Sequence, residues 1–194
     1  MPYPNLIDPA QIGPRALAVV EERGWDRWSL RDVAADLHVS PNALYRHVDG
    51  REGLVVAIGE CAAWALHGAI AEVGGDGEDH LTGVADVYVR FALARPHAFA
   101  ALLQGKPAPG DPRIEPWAAV WDHLRRQFER AVPQSPGAAC FAYWALIHGR
   151  AELAGGPARL DEPTAGLGDA VHALIAGYRS MGPVADPVPP WLER

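Results

Sequence analysis

Apolar residues recur at helical spacing along most of the chain, from Ile12 to Tyr178, whereas alternating apolar and polar runs bounded by turns are almost absent. This pattern predicts an all-α fold. Eighteen prolines and 20 glycines interrupt it without a fixed period, so we expect helices joined by short loops rather than a repeat array. With 194 residues, the chain is long enough for one large domain or two small ones.

Capping residues and prolines mark the predicted helix ends. Asp8, Ser29 and Ser40 are candidate N-caps, and Pro14 predicts either a kink in the first helix or a later start. A glycine-rich segment, residues 74–77, ends the fourth helix, and residues 104–112 read as a loop. The predicted helices span residues 9–23, 30–38, 41–48, 51–70, 78–94, 96–103, 113–131, 136–154 and 167–178.

The net charge of −7 argues against nucleic-acid binding by the whole surface, because affinity for phosphate follows local positive charge. The basic residues are 16 arginines and a single lysine, Lys106, which favours focused, bidentate contacts. We read no apolar run near the ~18 residues that span a bilayer and no N-terminal signal sequence, and so expect a cytoplasmic protein without a membrane partner. Cys61 and Cys140 have no clustered partners, which predicts reduced thiols rather than a disulfide or a metal site.

The second and third helices are short, are joined by a tight turn and leave polar residues facing outward. This is typical of a helix-turn-helix, whose second helix enters the major groove of DNA. The sequence SLRDVAADLHVSPNALYRHVDGREGL, residues 29–54, resembles the DNA-binding module of TetR-family transcriptional regulators, and the match extends over roughly residues 8–66. Its most specific part is residues 39–48. Family members usually carry glycine where this chain has His38, a residue type that tolerates positive φ better than most.

The resemblance places residues of the second, third and fourth helices where the family contacts DNA. The Asn42 amide could pair with adenine, Ala43 could meet a thymine methyl, and Arg31 could reach guanine or phosphate. Tyr45 and His47 suit phosphates, although both could instead pack against the first helix. Residues 1–60 hold six arginines against nine acidic residues, which predicts few phosphate contacts. The predicted DNA-binding residues are Arg31, Ser40, Pro41, Asn42, Ala43, Tyr45, Arg46, His47 and Arg51.

A second resemblance lies in YWALIHGRAEL, residues 143–153, which looks like the W-x-x-x-H-G signature of a TetR-associated C-terminal domain. The matching residues are Trp144, His148 and Gly149. Such a domain is expected to dimerise and to hold a small effector. The aromatic residues could pack in the core or the dimer interface, or they could line a pocket for an apolar or aromatic effector. The candidate pocket residues are Trp64, His67, Tyr88, Phe99, Trp117, Trp121, Trp144 and His148.

The resemblance also implies a homodimer, since two recognition helices about one DNA turn (~34 Å) apart read a palindrome. Helices 136–154 and 167–178 could form a two-fold bundle with their copies. We expect the helix from Arg51 to transmit effector binding, with Gly53 and Gly59 either softening it or permitting close packing. The candidate dimerisation residues are Trp144, His148, Leu167, Val171, Leu174, Ile175 and Tyr178.

These observations predict three segments: a helix-turn-helix domain at residues 1–52, a helical effector-binding and dimerisation domain at residues 53–182, and an extended proline-rich tail at residues 183–194. The function expected from the resemblance is ligand-responsive repression at a palindromic operator. A dimeric helix-turn-helix protein that senses nothing is the alternative. We expect no enzymatic activity and no cofactor or metal, because the histidines are dispersed and no known catalytic motif occurs.

Overall fold

A computed structural model describes residues 7–108, 110–157 and 160–187 of the chain. Within these ranges it contains nine α-helices and no strand, so the all-α prediction is confirmed. A short 3₁₀ turn, Pro112–Ile114, precedes the seventh helix. The helices are α1 Pro9–Arg23, α2 Leu30–Asp36, α3 Pro41–Leu44, α4 Gly50–Ala71, α5 Gly77–Ala94, α6 Pro96–Gln104, α7 Glu115–Ala131, α8 Pro136–Gly155 and α9 Leu167–Ser180.

The first three helices begin where their caps predict. Asp8, Ser29 and Ser40 each accept a hydrogen bond from a backbone N–H in the first turn of the following helix. The Asp32 carboxylate in turn accepts a hydrogen bond from the backbone N–H of Ser29 and completes a capping box. Pro14 lies inside α1 without delaying its start, since the helix runs unbroken from Pro9.

The second and third helices are shorter than predicted. α2 ends at Asp36 instead of continuing to His38, which takes a φ of 57° in the left-handed region. The sequence predicts a third helix as far as Val48, but α3 ends at Leu44 and continues as a helical turn. The backbone N–H groups of Arg46 and His47 reach carbonyls only three residues back, which tightens the helix. We call residues 40–48 the α3 segment.

α4 runs without a break through the predicted domain boundary at residues 52 and 53. It packs against α1, α6 and α7. Among the described residues, α4 is the one helix long and apolar enough to cross a membrane, with a mean hydropathy of 1.7. No such segment was expected from the sequence. Leu54, Ile58, Leu66 and Ile70 of this helix are buried inside the protein, which is the behaviour of a core helix.

α4 and α6 touch backbone to backbone at two glycines. A side chain at Gly59 would lie 2.8 Å from the Cα atom of Gly105 and 2.9 Å from the carbonyl oxygen of Ala101. Gly59 therefore permits close packing, which is one of the two roles that its place in the helix allowed. The contact ties the middle of α4 to the end of α6.

In the C-terminal half, α5 packs against α7, α8 and α9. The chain after α9 returns to the start of α8: Asp186 accepts a hydrogen bond from the backbone N–H of Ala138 at 2.9 Å, and the N–H of Val184 donates to the Ser135 hydroxyl at 2.8 Å. The described part of the tail, residues 183–187, is non-helical and caps α8, a role that its proline content did not indicate. Residues 188–194 lie outside the described residues.

Both cysteines are free thiols, as the sequence predicts. Cys140 is fully buried and Cys61 is half-buried, between α4 and α1. Burial raises the pKa of Cys61 to about 11 and raises the pKa of Cys140 as well, so neither is a reactive thiolate near neutral pH.

Candidate nucleic-acid interface and effector cavity

The α3 segment presents one polar face to solvent. Leu44 is fully buried and anchors the segment, whereas Asn42, Arg46 and His47 are exposed. Tyr45 is 54% exposed, so more than half of its surface is open to solvent. His47 is exposed but borders a groove beside α1. The segment therefore leaves amide, hydroxyl, guanidinium and imidazole groups available to a partner.

Two further predicted DNA-binding arginines, Arg31 and Arg51, lie outside the α3 segment and are exposed. Arg31 is exposed on α2. The guanidinium of Arg51 lies 4.2 Å from the centre of the Trp28 ring and donates a hydrogen bond to the Trp28 carbonyl at 3.3 Å. This stacking holds an exposed cation in a fixed position beside the α3 segment.

Two arginines of the N-terminal helices each form an ion pair with an aspartate. Arg15 pairs with Asp36 and Arg23 pairs with Asp32, each at 2.8 Å. A hydrogen bond from the Ser29 side chain lowers the pKa of Asp32, so that its carboxylate stays ionised. Within the parts of the chain that the structure describes, Arg31 and Arg46 form no ion pair. Positive charge thus remains at the face where the sequence predicts DNA contact.

A small cavity of about 60 Å³ lies between α4, α5, α6, α7 and α8. Four of the predicted pocket residues line it: Tyr88, Trp117, Trp121 and Trp144. The indole N–H of Trp117 donates to the carbonyl of Leu102 at 3.1 Å and fixes its ring in the wall. The remaining lining residues are Leu66, Leu102, Leu103, Lys106, Val120 and Leu124.

Two more predicted residues stand directly behind this wall. The Tyr88 hydroxyl and Nδ1 of His148 share a hydrogen bond of 3.1 Å, Phe99 contacts both rings, and Trp144 stacks on His148 with ring centres 5.2 Å apart. Burial lowers the pKa of His148, and the nearby charge of Lys106 lowers it further, whereas Glu152 raises it. Burial also raises the pKa of Tyr88, which remains a neutral phenol.

The structure does not bring Trp64 and His67 to the cavity. Trp64 is 42% exposed on the outer side of α4, where its ring meets His67 edge to face. His67 in turn contacts His123, whose Nε2 atom lies 2.8 Å from Nε2 of the buried His80. These histidines form a separate cluster, and among the described residues no group has the arrangement of a metal site.

The predicted dimerisation stripe of α9 is largely used inside the protomer. Leu167, Val171 and Ile175 are 2%, 0% and 0% exposed, because they face the core against α5 and α8. Leu174 and Tyr178 are partly exposed. The helical period correctly gives a buried stripe, but it does not tell whether the stripe faces the same chain or a partner.

α6 joins the cavity to the N-terminal helices. At its start, Arg95 pairs with Glu21 of α1 at 3.2 Å, and the backbone N–H of Trp25 donates to Nδ1 of His97 at 3.4 Å. At its other end, α6 and the loop after it supply Leu102, Leu103 and Lys106 to the cavity wall. These three wall residues were not predicted from the sequence. The one feature that could have pointed to them is the single lysine of the chain, which follows Gly105.

Two family models match the sequence. Residues 15–58 match the model described as bacterial regulatory proteins, tetR family. Residues 81–178 match the model of the tetracyclin repressor-like C-terminal domain. The first match contains the α3 segment, and the second contains most of α5, all of α6 to α8 and most of α9. No curated protein matches the sequence.

Solved structures share the fold over nearly the whole chain. A Rhodococcus sp. RHA1 protein of unknown function is 26% identical with a TM-score of 0.68, and the alignment covers 95% of this chain and 100% of that one. A TetR variant of Acinetobacter baumannii AYE, solved in complex with minocycline, is 20% identical with a TM-score of 0.65 and coverages of 89% and 96%. A possible TetR-family regulator of Streptomyces coelicolor A3(2) is 24% identical with a TM-score of 0.61, covering 89% of each chain.

Proposed function

Since the chain belongs to the TetR family of bacterial regulatory proteins, we propose that it is a cytoplasmic, ligand-responsive repressor that binds a palindromic DNA operator as a homodimer. The observation that carries the proposal is the exposed polar face of the α3 segment, anchored by buried Leu44, together with the exposed Arg31 and Arg51. We assign the chain no catalytic role and no cofactor.

In the proposed complex, the α3 segment of each protomer enters the major groove. Asn42 is suited to a bidentate contact with adenine and Ala43 to a contact with a thymine methyl. Tyr45, His47 and the stacked Arg51 are suited to phosphates on the groove walls, which set the register of the protein on DNA. Few basic groups take part, so we expect a modest dependence of affinity on salt.

The outward faces of α8 and α9 support dimerisation. On α8 this face carries Ala145, Gly149 and Leu153, which is 67% exposed, and on α9 it carries Ala173 and Ala176. Small residues allow helices of two protomers to approach closely, and an exposed leucine gains from burial in an interface. We propose that these faces, together with Leu174 and Tyr178, form a two-fold four-helix bundle.

Effector binding would reach DNA through α6 and α4. α6 contacts the α1 region through Arg95 and His97 and borders the cavity with its other end. α4 carries Leu66 in the cavity wall and leads directly back to the α3 segment. A ligand that fits the cavity best in one position of α6 favours one spacing of the two α3 segments, and a spacing that no longer matches successive grooves releases the operator.

The test is selection of genomic DNA fragments by the purified protein at fixed, near-physiological salt. We expect enrichment of a palindrome, and we expect Asn42→Ala and Tyr45→Ala to abolish it. Glu129→Ala, an exposed substitution on α7, serves as the control that should leave selection intact. Failure to enrich any sequence at lower salt, or equal enrichment by the two α3 variants, would refute the proposal.

A further inference from the structure

Trp28 holds the guanidinium of Arg51 at two points. The central carbon of the guanidinium, Cζ, lies 4.2 Å from the centre of the Trp28 ring, and Nη1 donates a hydrogen bond to the Trp28 carbonyl at 3.3 Å. The ring supports the face of the cation, and the carbonyl fixes its direction. One residue between α1 and α2 therefore sets the position of a cation in the first turn of α4.

Trp28 is itself firmly placed. Its side chain is 3% exposed. The next residue, Ser29, caps α2 and forms the capping box with Asp32. The ring of Trp25 lies 6.2 Å from that of Trp28, and the backbone N–H of Trp25 donates to Nδ1 of His97 on α6. The support beneath Arg51 is thus tied to both α2 and α6.

Packing alone does not explain a tryptophan at this position. The indole N–H of Trp28 is buried and has no hydrogen-bond partner among the described residues. A buried donor without a partner costs free energy, and a leucine or phenylalanine in its place would avoid this cost. The indole ring, however, offers a cation the most favourable face of all side chains. The contact with Arg51 uses the property that distinguishes tryptophan from these smaller apolar residues.

The support matters because Arg51 has acidic neighbours in the chain. Asp49 and Glu52 are both exposed. A long, unsupported side chain could turn toward either carboxylate, and an arginine paired in this way has less charge to offer a phosphate. Within the described residues Arg51 forms no ion pair, and it remains exposed. Its charge is therefore available to an external anion.

We propose that Trp28 is a positioning residue for DNA binding, which holds the guanidinium of Arg51 where it meets a phosphate of the operator. This inference rests on the proposed function, because it concerns the same interface. A side chain that is ordered before DNA arrives loses less conformational entropy on binding. Each protomer of the proposed dimer carries the same contact, so operator binding benefits twice.

The test is a double-mutant cycle on the affinity of the full-length protein for its selected palindrome at one salt concentration. Trp28→Leu should weaken binding roughly fivefold or more, since each protomer loses a cation–π contact. In the Arg51→Gln background the same change should weaken binding by less than about twofold, because the cation that Trp28 positions is gone. Weakening by equal factors in both backgrounds, or none in the wild-type background, would overturn the inference.

A second variant separates the ring face from packing. Phenylalanine and leucine are both apolar and both smaller than tryptophan, so a purely structural role predicts similar losses of DNA affinity. A positioning role predicts that Trp28→Phe binds the palindrome more tightly than Trp28→Leu, since phenylalanine still offers a ring face to Arg51. Circular dichroism melting checks that both variants fold. Equal affinities of the two folded variants would overturn the inference.

A salt series with Arg51→Gln needs no change in the core and separates this inference from the proposed function. The slope of log affinity against log salt concentration should become shallower by roughly two, one phosphate contact for each protomer. If the wild type binds a palindrome but the slope is unchanged, DNA recognition stands and this inference fails. If the wild type selects no palindrome, the proposed function fails and this inference fails with it.

Discussion

At the scale of single residues, two glycines set the distance between α4 and α6, the helices that join the cavity to the DNA-binding helices. Gly59 on α4 and Gly105 after α6 place their backbones in direct contact, with Ala101 completing the site. Protein interiors are close-packed, so a methyl group here has to push two helices apart. The contact therefore controls how α6 rests on α4.

Gly59→Ala is expected to destabilise the protein by about 1–3 kcal/mol, because its Cβ would lie 2.8 Å from backbone atoms of Gly105 that cannot move aside alone. Gly68→Ala is the matched control on the same helix. A Cβ at Gly68 meets nothing within 4 Å, so this change should be neutral or stabilising by up to about 1 kcal/mol. Urea unfolding of both variants measures the difference, and equal stabilities would contradict the packing described.

The histidine cluster predicts a dependence of stability on pH. Burial lowers the pKa of His123, and the neighbouring His80, His67 and Arg126 lower it further. In the unfolded chain this imidazole takes up a proton near its ordinary pKa of about 6.5, while in the folded protein it resists protonation. The unfolded state therefore binds more protons as the pH falls below about 6.5, and stability declines.

The measurement is the free energy of unfolding at a series of pH values between about 8 and 5. Wild type should lose stability on the acidic side, and His123→Gln should lose less, since glutamine does not titrate. A decline of the same size in wild type and variant would show that His123 does not contribute.

At the scale of elements, the N-terminus of α8 depends on residues that follow α9. Asp186 accepts the hydrogen bond from the Ala138 N–H, and the Ser135 hydroxyl receives the N–H of Val184. A carboxylate at this end of a helix also interacts favourably with its partial positive charge. The residues after α9 thus hold the start of α8 by two hydrogen bonds.

Asp186→Ala should lower stability by about 0.5–2 kcal/mol, the cost of losing a helix cap. Asp161→Ala, at an exposed aspartate before α9, is the control and should change stability by less than about 0.5 kcal/mol. Thermal unfolding of the two variants provides the comparison. If both melt with the wild type, the hydrogen bond to Ala138 does not stabilise α8.

The helix positions could largely be predicted from the sequence, whereas the contacts between helices could not. Ser29, Ser40 and the prolines at helix starts act through neighbours in the chain, so the helix positions were predictable to within a few residues. The Gly59 contact and the cap from Asp186 depend on residues distant in sequence. The α9 stripe shows the same limit, because Val171 has the spacing of an interface residue and is instead buried against its own chain.

At the scale of the whole molecule, the proposed DNA-reading and dimerisation surfaces lie on different helices. The α3 segment belongs to the N-terminal helices and the outward faces of α8 and α9 to the C-terminal half, and α4 and α6 each contact both α1 and α5. A single α3 segment contacts too few base pairs for specific binding, so specific binding requires two protomers on one site.

Ala145→Glu and Ala173→Glu should convert the dimer to monomer, because each would bury an unpaired carboxylate in the proposed bundle. Ala71→Glu, at the exposed end of α4, is the matched control. Sedimentation velocity measures the oligomeric state, and far-ultraviolet circular dichroism checks that helix content is kept. Dimers of unchanged stability in both variants would place the interface elsewhere.

The most direct test of the central claim is the dissociation constant for the selected palindrome, measured by fluorescence anisotropy at one salt concentration. Asn42→Ala should weaken binding by at least about tenfold, since each base-specific contact contributes about 1–3 kcal/mol and two protomers lose it. Glu129→Ala, the exposed control on α7, should bind like the wild type. Equal affinity of the wild type and Asn42→Ala for this palindrome would contradict DNA reading by the α3 segment.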